Sequence, residues 1–167
     1  MKKIFIYSSS NGQSLKICKA LNKNKEALII DMDMLKTTKL DNFDQIVIGA
    51  SVKYGDHNKK VYEFVKKNRV LLEKKKTVFF SVNATARKSE KNTPKTNPYI
   101  IKFLKKTNWT PDHIGVFAGM IDFPNYNFIE KYIIKLIMWI TNGPTDTSKT
   151  FEFTNWEDVK KFSEEIY

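Results

Sequence analysis

Apolar residues cluster in short runs without polar alternation: Ile4-Phe5-Ile6-Tyr7 first, then residues 27–30, 46–50, 77–82 and 114–118. Runs of this kind predict strands buried on both faces. Between them the spacing turns helical, over 13–22, over 59–68 with Val61, Phe64 and Val65, and over 98–106 with Ile100, Ile101, Phe103 and Leu104. A last helix is expected over 155–167, with Trp156, Val159, Phe162 and Ile166 on one side. Strand and helix alternating in this way predict a single α/β domain over 1–167. Its core is a doubly wound, five-stranded parallel sheet in the order 2-1-3-4-5, with helices on both faces.

The rhythm breaks once. Between Phe117 and the last helix lie about 35 residues, where α/β units usually need a few, so about 120–150 reads as a helical insertion before that helix. At its centre, 128–140, Ile129, Ile133, Leu136, Ile137 and Ile140 share one helical face, while Tyr132, Ile134 and Trp139 lie off it. The stretch falls well short of the roughly 20 residues that cross a bilayer. Two uses compete: a helix packed into the core, or one whose surplus apolar surface meets lipid or a hydrophobic substrate. The breadth of the stripe and its aromatic and basic neighbours favour the second.

In a sheet of this order ligands bind beyond the carboxyl ends of the strands, where three loops converge. Ser8-Ser9-Ser10-Asn11-Gly12-Gln13-Ser14 leads from the first strand into the first helix. A helix N-terminus presents backbone N–H groups and a positive dipole end, and short hydroxyl side chains add donors, so the loop suits a phosphate. It lacks the lysine of a P-loop and the three glycines of a dinucleotide fingerprint. Ordinary helix capping by Ser or Asn accounts for the same residues, and both readings stand at this point. The loop over 51–57 offers Tyr54 to stack on a ring and Gly55 for a tight turn. The loop over 83–97 is entered through Ser81-Val82-Asn83, whose backbone and amide groups suit a ring edge. Phosphate plus a planar heterocycle is the shape of FMN. The candidate cofactor-binding residues are Ser9, Ser10, Asn11, Gly12, Gln13, Ser14, Tyr54, Ser81, Val82, Asn83 and Ala84.

Other chemistries fit poorly. The first and third strands end in serines rather than the acidic groups of a Mg²⁺-dependent phospho-acceptor. There is no Cys/His cluster and no nucleophile elbow, so no metal site is expected and no catalytic side chain is assigned. His57 is an acid/base candidate, His113 reads as a surface group, and Cys18 among Leu15, Ile17 and Leu21 reads as a small buried hydrophobe.

The chain of 167 residues carries a net charge of +11, almost wholly on lysine, since Arg69 and Arg87 are the only arginines. Nucleic-acid readers lean on arginine, so no nucleic-acid partner is expected; anionic lipid or an acidic ligand fits better, and a biased codon pool explains the lysines equally. With no secretory h-region and no spanning run, a cytoplasmic location is expected.

Taken in order, the serine loop, Val47-Ile48-Gly49-Ala50-Ser51 with Tyr54-Gly55, Glu63-Phe64-Val65-Lys66-Lys67 and Ser81-Val82-Asn83 with Ala86-Arg87-Lys88 form a family pattern. Thr93-Pro94-Lys95-Thr96-Asn97, Lys102-Phe103-Leu104, Lys135-Leu136-Ile137-Met138 and Thr145-Asp146-Thr147 continue it. The chain resembles the flavodoxin-like, menaquinone-dependent protoporphyrinogen IX dehydrogenases of bacterial haem synthesis along nearly its whole length. The resemblance implies a flavodoxin-like fold and FMN, which accepts hydrogen from protoporphyrinogen IX and passes electrons to menaquinone or ubiquinone. It also implies peripheral contact with the cytoplasmic face of the inner membrane, with Arg87, Lys131, Lys135, Trp139 and Asp146 on the substrate or membrane side. Ser9 and Ser14 stand where threonine is expected in relatives, Ser10 where a basic residue is, and Pro144 where glycine is. A plain FMN electron carrier is the alternative, and the oligomeric state is left open.

Overall fold

The computed structural model describes residues 1–23 and 26–167. In chain order the strands are β1 (Lys3–Ser8), β2 (Leu28–Asp31), β3 (Gln45–Lys53), β4 (Asp56–His57), β5 (Lys76–Asn83), β6 (His113–Ala118), β7 (Met120–Asp122) and β8 (Thr150–Glu152). The helices are α1 (Gln13–Leu21), α2 (Lys59–Leu72), α3 (Pro98–Thr107), α4 (Phe128–Ile140) and α5 (Trp156–Glu165). Five strands run parallel in the order β2-β1-β3-β5-β6, which, counted among themselves, is the expected 2-1-3-4-5. Two features were not foreseen. β4 folds back antiparallel on the end of β3, and β7 pairs with β8 in a separate ribbon. Strands of two or three residues are too short to leave a periodic signal.

The unbroken apolar runs follow from the layering. Ile4, Ile6, Ile46, Ile48 and Phe79 face one side, packed with Val61 and Val65 of α2 and Ile100 and Phe103 of α3. Phe5, Val47, Val78 and Phe80 face the other, against Ile17 and Leu21 of α1 and Val159 and Phe162 of α5. Each such side chain contributes about 1.5–3 kcal/mol on burial. Phe79 and Phe103 stack with centroids 4.2 Å apart and planes 5° apart, seating α3 on the sheet. β2 departs from the expectation of burial on both faces. It is an edge strand whose Leu28 is exposed, because a sheet edge lacks a neighbour to cover it. On α5, Trp156 likewise lies exposed, while Val159 and Phe162, and Ile166 just past its end, are buried.

The insertion is closed at its base by the β7–β8 ribbon, with Ile121 opposite Phe151. It has a small core of its own, Ile121, Phe123 and Met138, joined by Tyr126, Ile134, Phe151 and Phe153. Asn127 starts α4 by accepting the Glu130 N–H at 2.9 Å. Asn142, at φ 55, ends it in a Schellman turn with Gly143 N–H to Met138 O at 2.7 Å and Asn142 N–H to Trp139 O at 3.3 Å. Of the α4 residues only Glu130 and Met138 are buried. Of the expected face, Ile129, Ile133, Leu136 and Ile140 point outward and are exposed, together with Phe128, Tyr132 and Trp139, whereas Ile137, partly exposed, turns toward the cleft.

Candidate functional site

Beyond the carboxyl ends of β1, β3 and β5 lies a cleft of about 330 Å³. The serine loop forms one side. Asn58, Asn97, Asn127 and Asn155 cap the other four helices with side-chain oxygens, whereas α1 begins at Gly12 with no side-chain cap. Gly12 has φ +83, a left-handed conformation that L side chains resist, and a Cβ there would meet open space. Neighbouring side chains brace the loop internally. Ser9 Oγ accepts the Ser14 N–H at 3.3 Å, Ser51 Oγ accepts the Ser10 N–H at 3.0 Å, and Asn11 Nδ2 donates to Met120 O at 2.8 Å. Gln13 is buried and donates to Glu152 and Thr154 at 3.0 and 2.8 Å. The Ser14 hydroxyl is buried beside this helix start and has no partner among the described residues. Ser9 Oγ and Asn11 Oδ1 take the first-turn N–H groups of Ser14 and Gln13, both at 3.3 Å, so the loop caps part of the helix start, and it is the orphaned Ser14 hydroxyl beside it that fits a seated phosphate.

The second loop is a two-residue hairpin. Lys53 pairs with Asp56, and Tyr54 and Gly55 between them have φ 51 and 81. Left-handed geometry at both central positions is the type I′ turn that matches strand twist. It lifts Tyr54 to the rim of the cleft, 61% exposed. Below the turn, the Asp56 carboxylate meets Lys102 at 2.5 Å, Lys106 at 3.2 Å and the Tyr62 hydroxyl. Burial raises its pKa, but the hydrogen bonds from Lys102, Tyr62 and Lys106 outweigh this and hold the carboxyl well below the usual range.

The third loop rests on a buried polar chain. Asn83 Nδ2 donates to Ser81 Oγ at 3.0 Å, and Ser81 Oγ meets His57 Nε2 at 2.9 Å. Asn83 Oδ1 accepts from Ala86 N and Asn97 Nδ2 at 3.0 and 3.2 Å, and Asn97 in turn caps α3. His57 is thus no surface acid or base. It packs among Phe79, Phe103 and Tyr62, and burial lowers its pKa to about 4. Burial also raises the Cys18 thiol, which is inert in the α1–α5 core.

α4 supplies the far wall through Glu130, Ile134, Ile137, Met138 and, just past its end, Thr141. It is strapped at both ends. Lys53 Nζ sits 2.7 Å from Glu130 Oε1, an ion pair that holds the Lys53 ammonium above its ordinary pKa. Arg87 Nη1 donates to Ala84 O at 2.9 Å, and Nη2 donates to Thr141 O and Oγ1, both at 2.8 Å.

Of the residues singled out from the sequence, Ser10, Asn11, Tyr54, Val82, Asn83, Ala84 and Arg87 line the cleft. Ser9, Gly12, Gln13 and Ser14 build the loop and helix start behind it, and Ser81 lies beneath its floor. Lys131, Lys135, Trp139 and Asp146 lie outside the lining; Asp146 folds its own turn by accepting the Ser148 hydroxyl at 2.6 Å and pairing with Lys149 at 3.1 Å. Sequence reasoning missed Lys53, Thr85, Tyr99, Met120, Asp122, Tyr126 and Glu130 as cleft residues. For Glu130 a signal existed, the Asn-x-x-Glu spacing of a helix start, but it marks a cap and not a wall.

A doubly wound sheet with an anion-ready helix start, an aromatic hairpin tip and an amide-bearing third loop defines a flavodoxin-type domain. Flavodoxin 2 from Bacillus cereus, crystallised in the oxidised form, shares the fold with a TM-score of 0.55 at 14% identity, over 99% of this chain and 97% of that one. The flavodoxin domain profile matches residues 4–148. Protoporphyrinogen IX dehydrogenase [quinone] from Escherichia coli (strain K12) is 39% identical over 171 residues, covering 99% of this chain and 94% of the relative. The protein of that name from Leishmania major is 33% identical over 99% of this chain and 74% of the relative. The chain belongs to the flavodoxin-domain family of these quinone-linked dehydrogenases, the one its sequence resembles.

Proposed function

We propose that this chain is an FMN-dependent dehydrogenase that oxidises protoporphyrinogen IX to protoporphyrin IX and hands the electrons to a membrane quinone, menaquinone or ubiquinone. The observation that carries it is α4, one helix that walls the cofactor cleft and turns a broad apolar face outward. An electron carrier has no use for such a face, whereas an enzyme with a porphyrinogen donor and a quinone acceptor has two hydrophobic partners to meet.

The residues fit FMN. Ser9 to Ser14 would hold the phosphate, Tyr54 would cover the ring, and Val82, Asn83 and Ala84 would meet its edge. When bound, the flavin supplies the redox chemistry, taking hydrogen from the porphyrinogen and returning electrons to the quinone. The chain binds, orients and excludes water. His57 and Ser81 fix Asn83 from below, Arg87 ties the third loop to the end of α4, and Ile134 and Met138 keep the inner wall apolar. No helix among the described residues is long and apolar enough to cross a membrane. The outer face of α4 instead lies in the interfacial region of the inner membrane's cytoplasmic leaflet, with Trp139 seated there and Lys131 and Lys135 toward headgroups. Asp146 shapes the turn that brings the chain back from it.

The test is direct. FMN-loaded protein given protoporphyrinogen IX and a quinone without oxygen forms fluorescent protoporphyrin as the quinone is reduced. Absence of porphyrin formation with flavin fully bound overturns the proposal.

A further inference from the structure

Among the described residues four charged side chains line the cleft: Lys53, Arg87, Asp122 and Glu130. Three of them are committed within the protein. The Arg87 guanidinium serves Ala84 O and both oxygens of Thr141, and burial lowers its pKa. Asp122 accepts from Asn125 Nδ2 at 2.7 Å and Thr150 Oγ1 at 2.8 Å, which holds the β7–β8 ribbon. Glu130 is nearly buried, its side chain 10% exposed, on a helix otherwise apolar apart from its lysines. Lys53 differs. Its side chain is 45% exposed, and its ammonium lies 5.2 Å from the centroid of the Tyr54 ring at the rim. An ammonium has three N–H donors, so its pairing with Glu130 leaves donors for an incoming anion.

We infer that Lys53 is the substrate-recognition residue of the cleft, taking one propionate carboxylate of the porphyrinogen at the rim and so orienting the apolar macrocycle toward the flavin. This rests on the function proposed above and names the group that gives it specificity. The carboxylate of Glu130 already demonstrates that an acid fits against this ammonium within the cleft. It also keeps Lys53 charged and aimed while substrate is absent. A carboxylate arriving at the rim exchanges bulk water for a charge-assisted hydrogen bond in a site half shielded by Tyr54 and α4, where such bonds are the strong ones. Arg87 would be the first choice by residue type, since guanidinium reads carboxylates in bidentate fashion. Its three bonds to Ala84 and Thr141 instead make it a strap.

The experiment compares protoporphyrin IX with its dimethyl ester, which keeps the macrocycle and removes both charges. Binding to the FMN-loaded protein is followed by fluorescence titration at a fixed detergent concentration. Wild type is expected to prefer the free acid about tenfold, the size of one charge-assisted hydrogen bond at a partly exposed site. In Lys53→Met the preference collapses toward one, while Lys53→Arg keeps it. The KM for protoporphyrinogen IX rises about tenfold in Lys53→Met, again as one such bond predicts. A purely structural role for Lys53 lowers binding of acid and ester alike and leaves their ratio unchanged, which overturns the inference. A wild type that binds neither porphyrin overturns the functional reading itself. Prior FMN titration of each variant confirms that the domain under test is folded and loaded.

Discussion

Ser14 and His57 sit on opposite sides of the same problem, a buried polar atom without a partner. The orphaned Ser14 hydroxyl costs the empty domain free energy that a phosphate would return. Ser14→Ala is therefore expected to leave apo stability unchanged or up to about 1 kcal/mol higher, and to weaken FMN binding about tenfold. Paired denaturation and flavin titration check this, and parallel losses in both would sink the phosphate assignment. His57 is held neutral by its apolar surroundings, with Asp56 raising its pKa and Lys102 lowering it further. Its folded value is about 4 against 6.5 for the free side chain, so between these values the unfolded chain binds a proton that the folded one refuses. Stability is present above pH 6.5 and falls as the pH drops to 4, by about 3 kcal/mol at most from this group. Urea unfolding at pH 7, 5.5 and 4 should show a slope that flattens in His57→Phe relative to wild type.

At the level of elements, α4 is held to the cleft by two polar straps and a small apolar contact. Removing the Arg87 strap takes the guanidinium away from the Thr141 and Ala84 carbonyls. Arg87→Met should cost about 2 kcal/mol and speed amide exchange across the last turn of α4, with exchange in β1 and β3 unchanged. The outer face is a separate matter, since its residues are 43–75% exposed. Ile133 and Trp139 are 43% and 70% exposed, so Ile133→Asp and Trp139→Asp should change stability by no more than about 0.5 kcal/mol. Both should lose flotation with lipid vesicles and turnover with a membrane-embedded quinone, yet keep turnover with a water-soluble one. Undiminished flotation would remove the membrane role from this face.

Across the whole molecule, in the membrane contact proposed above, the charge of +11 and the apolar helix would make different contributions. Lysines near an anionic membrane contribute about 1 kcal/mol each and are screened by salt, whereas apolar insertion is not. Vesicle binding should fall steeply from low salt to physiological salt on anionic lipid, and a salt-resistant remainder should vanish in Trp139→Asp. The parallel strands, the helix faces and the serine loop were legible in the sequence because each depends on residues a few positions apart. The same locality hid the rest. Lys53 meets Glu130, Arg87 meets Thr141 and Gln13 meets Thr154 across long stretches of chain, and only chain closure through the β7–β8 ribbon brings them together. Periodicity placed Ile129, Ile133, Leu136, Ile137 and Ile140 on one face of a helix, but a core helix and a membrane-facing helix share that pattern. What the face meets is a property of packing, and only the tertiary structure turned most of it outward while setting Glu130, Ile137 and Met138 against the cleft.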